Sequence, residues 1–167
     1  MITRLMIAGA ALSLSTPVLA QDKIFDFMGF DTETAQPVTE IAGKKCSHEG
    51  AETACSLPWN VKLGDAVVSV MMVNFYQDKL ASVLGIAERD QFLSLLSVFT
   101  AKYGEPTMKT EKWQNRAGAS FDNSVAVWKF KGGDLQLRQL GSRVDNSDFQ
   151  FFSTVNQKPS EKPNVNF

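Results

Sequence analysis

Residues 92–106 read FLSLLSVFTAKYGEP, and this stretch decides the fold. Phe92, Leu95, Leu96, Phe99 and Tyr103 fall at i, i+3, i+4, i+7 and i+11, which places one apolar stripe along a helix of 3.6-residue period. Glu88 and Asp90 lie in or near the first turn and Lys102 in the last, each matched to the helix dipole. Gly104 supplies a left-handed C-cap, and Pro106 prevents continuation. The polar side is mostly Ser and Thr, without the dense Lys/Arg cover of a membrane-surface helix. The stripe therefore predicts a helix laid on a sheet.

The flanking residues supply that sheet. Ala66 to Phe75 is rich in Val, Met and Phe with little polarity on either face, as a central strand requires. Gln77-Asp78-Lys79 reverses the chain, and Leu80 to Ile86 returns as a second strand. Beyond the helix, strands are predicted at Thr110–Arg116, Val125–Lys131, Leu135–Leu140 and Phe149–Val155. A turn runs from Ala117-Gly118 through Asp122-Asn123, and a tight hairpin turn falls at Gly132-Gly133. Phe149, Phe151 and Val155 are expected to point inward. Phe151 and Phe152, being consecutive, should point to opposite faces. Residues 22–45 read as a short helical or irregular element, interrupted by Pro37. The expected fold class is α+β, with helices packed on one face of a curved antiparallel sheet and one disulfide-clipped hairpin. A single domain over 21–155 and a flexible tail over 156–167 complete the plan.

The N-terminus carries an address. Arg4 precedes an uncharged run from Leu5 to Leu14, and Val18-Leu19-Ala20 presents small residues before Gln21, so residues 1–20 read as a secretory signal peptide. The run is shorter than a membrane anchor and is broken by Pro17. Periplasmic residence is the expectation, with secretion as the alternative. In an oxidising compartment Cys46 and Cys55, the only cysteines, should form a bridge across a turn at Gly50. Closing so short a loop stabilises a fold by roughly 2.5–3 kcal/mol on the chain-entropy model. Eight intervening residues do not suit a redox pair, and His48 adds too few ligands for zinc.

The segment Phe92 to Pro106, with its Lys102-Tyr103-Gly104-Glu105-Pro106 ending, is followed by Trp113, Trp128 and the Leu135/Leu137 strand. Together they resemble a pattern of small exported proteins of Gram-negative bacteria, in which a helix ending in Lys-Tyr-Gly-x-Pro precedes a tryptophan-bearing antiparallel sheet. The resemblance covers roughly residues 66–155 and carries no catalytic residues to transfer. The layout is also similar to small domains of β-lactamase inhibitor proteins and outer-membrane assembly lipoproteins. The lipobox cysteine of the latter is absent, and fold does not imply function.

Charge is uneven. The chain holds 17 basic and 18 acidic residues; residues 21–101 carry 6 basic and 11 acidic, residues 102–143 carry 8 and 4. The basic stretch also holds Trp113 and precedes Phe152, so Trp113, Lys112, Arg116, Lys129, Arg138 and Phe152 form a candidate binding face. An aromatic set within a basic rim is how a protein-binding hot spot is built. The expected function is a non-catalytic periplasmic binding or accessory protein. It would recognise a protein or an anionic envelope component, as an inhibitor, immunity factor or assembly accessory does. Nucleic acid, a membrane span and a cofactor are not expected, and the oligomeric state is left open. The alternatives are a hydrolase acting through Glu105, Glu111, Asp122 and Asp134, which would have to converge, or a structural or stress protein without a dedicated ligand. No Gly-x-Ser-x-Gly elbow is present to partner His48.

Overall fold

The computed structural model describes residues 23–114 and 118–157. The signal segment 1–20, Arg116 and the tail beyond Gln157 lie outside the described residues.

Alternation and turn chemistry place the strands. β1 (Asp26–Phe27) and β2 (Phe30–Asp31) form one small hairpin, β3 (Glu40–Ile41) and β4 (Lys44–Lys45) another. Each closes on a two-residue X-Gly turn, Met28-Gly29 and Ala42-Gly43, with positive φ at both positions, the geometry that matches strand twist. This corrects the short helical or irregular reading of residues 22–45: Phe27, Phe30 and Ile41 lie in hairpin strands, and the turns after Phe27 and Ile41 forbid a helix.

The main sheet contains β5 (Ser47–Glu49), β6 (Glu52–Leu63), β7 (Ala66–Tyr76), β8 (Lys79–Glu88), β9 (Thr107–Gln114), β10 (Ser120–Phe130), β11 (Gly133–Arg138) and β12 (Asn146–Phe152). Its order is β5-β6-β7-β8-β12-β11-β10-β9, antiparallel throughout. The last strand among the described residues is thus inserted at the centre, joining the meander before α1 (Phe92–Tyr103) to the one after it.

The α+β class stands, but the expected curved sheet with several helices does not. The sheet is open, neither curled nor closed, with β5 and β9 at opposite edges. Among the described residues α1 is the sole α-helix. A 12-residue helix is about 18 Å long and reaches only part of an eight-stranded face. The N-terminal hairpins fill the remainder, so the sheet has no need to wrap around a second helix.

Phe92, Leu95, Phe99 and Tyr103 are buried along α1, as its periodicity predicts. Gly104 follows with φ 89° and ψ −174°, an extended glycine conformation in place of the expected left-handed cap. The helix is pinned at that end by Trp128, whose Nε1 donates to the Gly104 carbonyl at 2.7 Å. The Tyr103 hydroxyl donates to the Asp26 carbonyl at 2.8 Å. On the sheet, Met71, Val73, Phe75, Leu80, Val83, Leu135, Leu137, Phe149 and Phe151 complete the core. Phe25 is fully buried, stacked on Phe151 at 3.9 Å and edge-on to Phe130 at 5.1 Å.

Several boundaries move. β10 begins at Ser120, five residues before the predicted start, because residues 120–124 pair with β9 instead of turning. The hairpin turn is Lys131-Gly132, with Phe130 facing Gly133. β12 runs Asn146–Phe152, and Val155 is 68% exposed, not inward. Asn156 is buried, and its Nδ2 donates to the carbonyls of Thr32 and Leu80.

Cys46 and Cys55 are joined in a disulfide beside the β5–β6 hairpin, which turns at Gly50-Ala51. Among the described residues, no helix is long and apolar enough to cross a membrane.

Tyr103 gives the fold a pH signature. Burial above all, and the nearby Asp26 carboxylate, push its pKa well above the ordinary tyrosine value. The unfolded chain ionises it near pH 10, while the folded protein keeps it neutral. Its contribution is therefore complete below about pH 10 and is lost as pH rises toward the folded pKa. Tyr103→Phe should cost about 1 kcal/mol at neutral pH, for the lost hydrogen bond. It should also flatten the fall in urea midpoint between about pH 10 and 11.5. Parallel slopes for both proteins in that window would contradict this account.

Candidate functional site

α1 and the N-terminal hairpins cover one face of the sheet. The opposite face is formed by the alternate residues of each strand, and no helix lies on it among the described residues. Strand register assigns its members: Val70, Met72 and Asn74 on β7, Ser82, Leu84 and Ile86 on β8, Asp148, Gln150 and Phe152 on β12. Gln136 and Arg138 on β11, and Val125, Val127 and Lys129 on β10, continue it.

The same register sorts the predicted binding residues. Trp113 pairs with Phe121 and Arg138 with Val125, so Trp113, Lys129, Arg138 and Phe152 share the helix-free face. Lys112 faces the other way, opposite Asp122, with which it forms an exposed ion pair.

Their chemistry differs from a simple basic rim. Arg138 is held in a two-pronged pair with Asp148, Nε to Oδ1 at 2.7 Å and Nη2 to Oδ2 at 3.0 Å. Asp148 is only 8% exposed, so this pair is shielded and fork-shaped, the stronger kind. It neutralises the arginine and ties β11 to β12. Trp113 is half-buried; its ring lies 5.9 Å from Phe121 and its Nε1 donates to the Gly141 carbonyl at 2.9 Å. Its indole thus anchors the loop between β11 and β12.

Phe152 remains, 47% exposed at the end of the central strand β12 on the helix-free face. Two grooves meet at it. One, of about 380 Å³, is lined by Ala54, Asn74, Ser82, Asn156 and Gln157 as well as Phe152. The other, of about 340 Å³, lies between Phe152, Asp134, Gln136, Gln150 and Thr154. Asn74 Nδ2 donates to Ser82 Oγ at 2.8 Å, which fixes the floor of the first groove. Met72, 43% exposed two strands away, extends the apolar surface.

Sequence reasoning singled out Phe152 but missed Met72, Asn74, Ser82 and Gln150. The run Ala66–Phe75 is apolar on both faces, so its alternation gave no sign that every second residue would be left uncovered. The available signal was the Ser82 and Asn74 pair, two polar residues within otherwise apolar strands.

The four predicted carboxylates do not assemble. Glu111 and Asp122 lie on opposite faces of the β9–β10 pair, by the register Glu111↔Asn123 and Lys112↔Asp122. Asp134 stands opposite Lys129 beside the β10–β11 turn, and Glu105 lies in the connection from α1 to β9. Neither groove beside Phe152 contains two of them. Glu88, Asp90 and Asp145 do line one shallow depression near the start of α1, together with Arg89. His48 lies on β5, with Nδ1 2.9 Å from Thr53 Oγ1. Among the described residues, no group of three or more His, Cys, Asp or Glu side chains is placed to hold a metal ion.

The architecture defines a class: among the described residues, an α+β domain with one open eight-stranded antiparallel sheet, covered on one face by α1 and the N-terminal hairpins. The other face is free of helix, and there the loop at Leu140-Gly141 meets Asn123 and Trp113 near the buried Val125. No family model, curated protein or solved structure matches the chain.

Proposed function

We propose that this is a non-catalytic binding or accessory protein of the bacterial envelope, and that it recognises a protein partner through the helix-free face around Phe152. The observation that carries the reading is Phe152 itself: a large aromatic residue, half exposed, at the meeting point of two grooves on a strand held from both sides. An aromatic anchor on a rigid element, surrounded by amides and hydroxyls, is the composition of a protein-binding hot spot. The pairing of Arg138 with Asp148 neutralises one cation of the face, and the amides and hydroxyls around Phe152 favour a protein over an anionic polymer. Export is supported by the signal-like residues 1–20 and by the disulfide, which suits an oxidising compartment.

A photo-crosslinking amino acid at position 152 should trap a partner in periplasmic extract, while the same group at Leu93, 71% exposed on α1, should not. Phe152→Asp should weaken capture at least tenfold, on the order of 2 kcal/mol for a hot-spot aromatic, and change the melting midpoint little. Equal capture by the wild type and the variant would overturn the assignment.

A further inference from the structure

We infer that the protein associates with a second copy of itself through the edge strand β9, joining the two sheets into one. β9 is eight residues long, almost wholly exposed, and bounds the main sheet on one side. Long edge strands present unpaired peptide groups that template further pairing. The inference is independent of the proposed function, since it needs no other partner.

The direction of the β9 peptide groups follows from β10. Gln139 N donates to Ser124 O at 2.9 Å, so Ser124 turns its backbone toward β11. Alternation turns Val125 toward β9, where it faces Lys109. Lys109, Glu111 and Trp113 therefore bond inward to β10, and Met108, Thr110 and Lys112 direct their N–H and C=O groups away from the sheet.

A symmetric antiparallel pair must match outward residues with outward residues, so some residue faces its own copy. Centring on Lys109 or on Glu111 sets like charges face to face, which is destabilising. Centring on Thr110 sets Lys109 of each copy opposite Glu111 of the other, twice. These fall at non-hydrogen-bonded positions, where opposed side chains lie closest. Met108 then lies against the stem of Lys112, and Thr107 against Trp113. Neither Lys109 nor Glu111 has an ion-pair partner among the described residues. The two-fold axis runs through the sheet, so both helix-free faces lie on the same side.

The test is sedimentation velocity on the purified full chain over a concentration series. The wild type should dimerise. Lys109→Glu and Glu111→Lys should each weaken dimerisation about tenfold or more, and the double reversal should restore it. Thr110→Pro removes an outward N–H that the β9–β10 ladder does not use, and should leave a folded monomer. A wild type that stays monomeric at every concentration overturns the inference. So does a dimer indifferent to the single reversals or to Thr110→Pro, or a double reversal that fails to recover dimerisation.

Discussion

Replacing Phe25 by alanine is expected to destabilise the protein by about 3–5 kcal/mol, the cost of emptying a fully buried aromatic site. Phe25 is 0% exposed and touches rings from three separate parts of the chain: Phe151 on β12, Phe130 on β10 and Tyr103 on α1. The surrounding rings also brace one another, Phe130 meeting both Tyr103 and Phe151 edge-on and Tyr103 lying against Phe99, so little collapse into the vacancy is available. Phe25 also carries the N-terminal hairpins onto the sheet, where Lys23 Nζ donates to the Tyr103 carbonyl at 3.2 Å. With typical domain stabilities of roughly 5–15 kcal/mol, a loss of this size should shift the urea midpoint markedly. A change below about 1 kcal/mol would mean that the N-terminal segment is not part of the core.

Gly85→Ala is expected to cost about 3 kcal/mol although it adds only one methyl group. Gly85 lies on β8 opposite Phe149, and a Cβ built there would overlap Cε1 and Cζ of the Phe149 ring. That ring occupies the space a side chain would fill. It cannot swing aside, because Phe99 meets it edge-on at 5.1 Å and Phe27 lies 6.2 Å away. The pair should therefore be strongly non-additive: Gly85→Ala combined with Phe149→Leu should be less destabilised than the sum of the single changes. Additivity within about 0.5 kcal/mol would show that the methyl group is accommodated elsewhere.

How much of this was legible depended on whether a residue's environment was local. The Phe92–Tyr103 stripe and the hairpin between Ala66 and Ile86 could be read because their periods and turn residues lie within a short window. The Cys46–Cys55 bridge was likewise legible, the two cysteines being close in sequence and unaccompanied. Phe25 and Phe27 looked like any apolar cluster; their burial is set by residues some 80 to 125 positions away. Gly85 gave no signal at all, since its only distinction is the ring that lies across it. At the candidate site, alternation separated Phe151 from Phe152, which left Phe152 as the outward aromatic. It could not show that Arg138 would be neutralised by Asp148, or that Trp113 would be engaged by Gly141, because both depend on where β12 and its preceding loop return.

The sequence by itself determined one amphipathic helix between two sets of strands, a short disulfide loop, and an outward aromatic at Phe152. These are properties of neighbouring residues, fixed by a period of 3.6 or 2 and by turn chemistry. Only the tertiary structure decided that β12 enters the centre of the sheet, that the sheet stays open, and that the N-terminal hairpins complete the cover of one face. Those outcomes rest on pairing between strands distant in sequence and on the area one 12-residue helix can cover, and no local pattern encodes either.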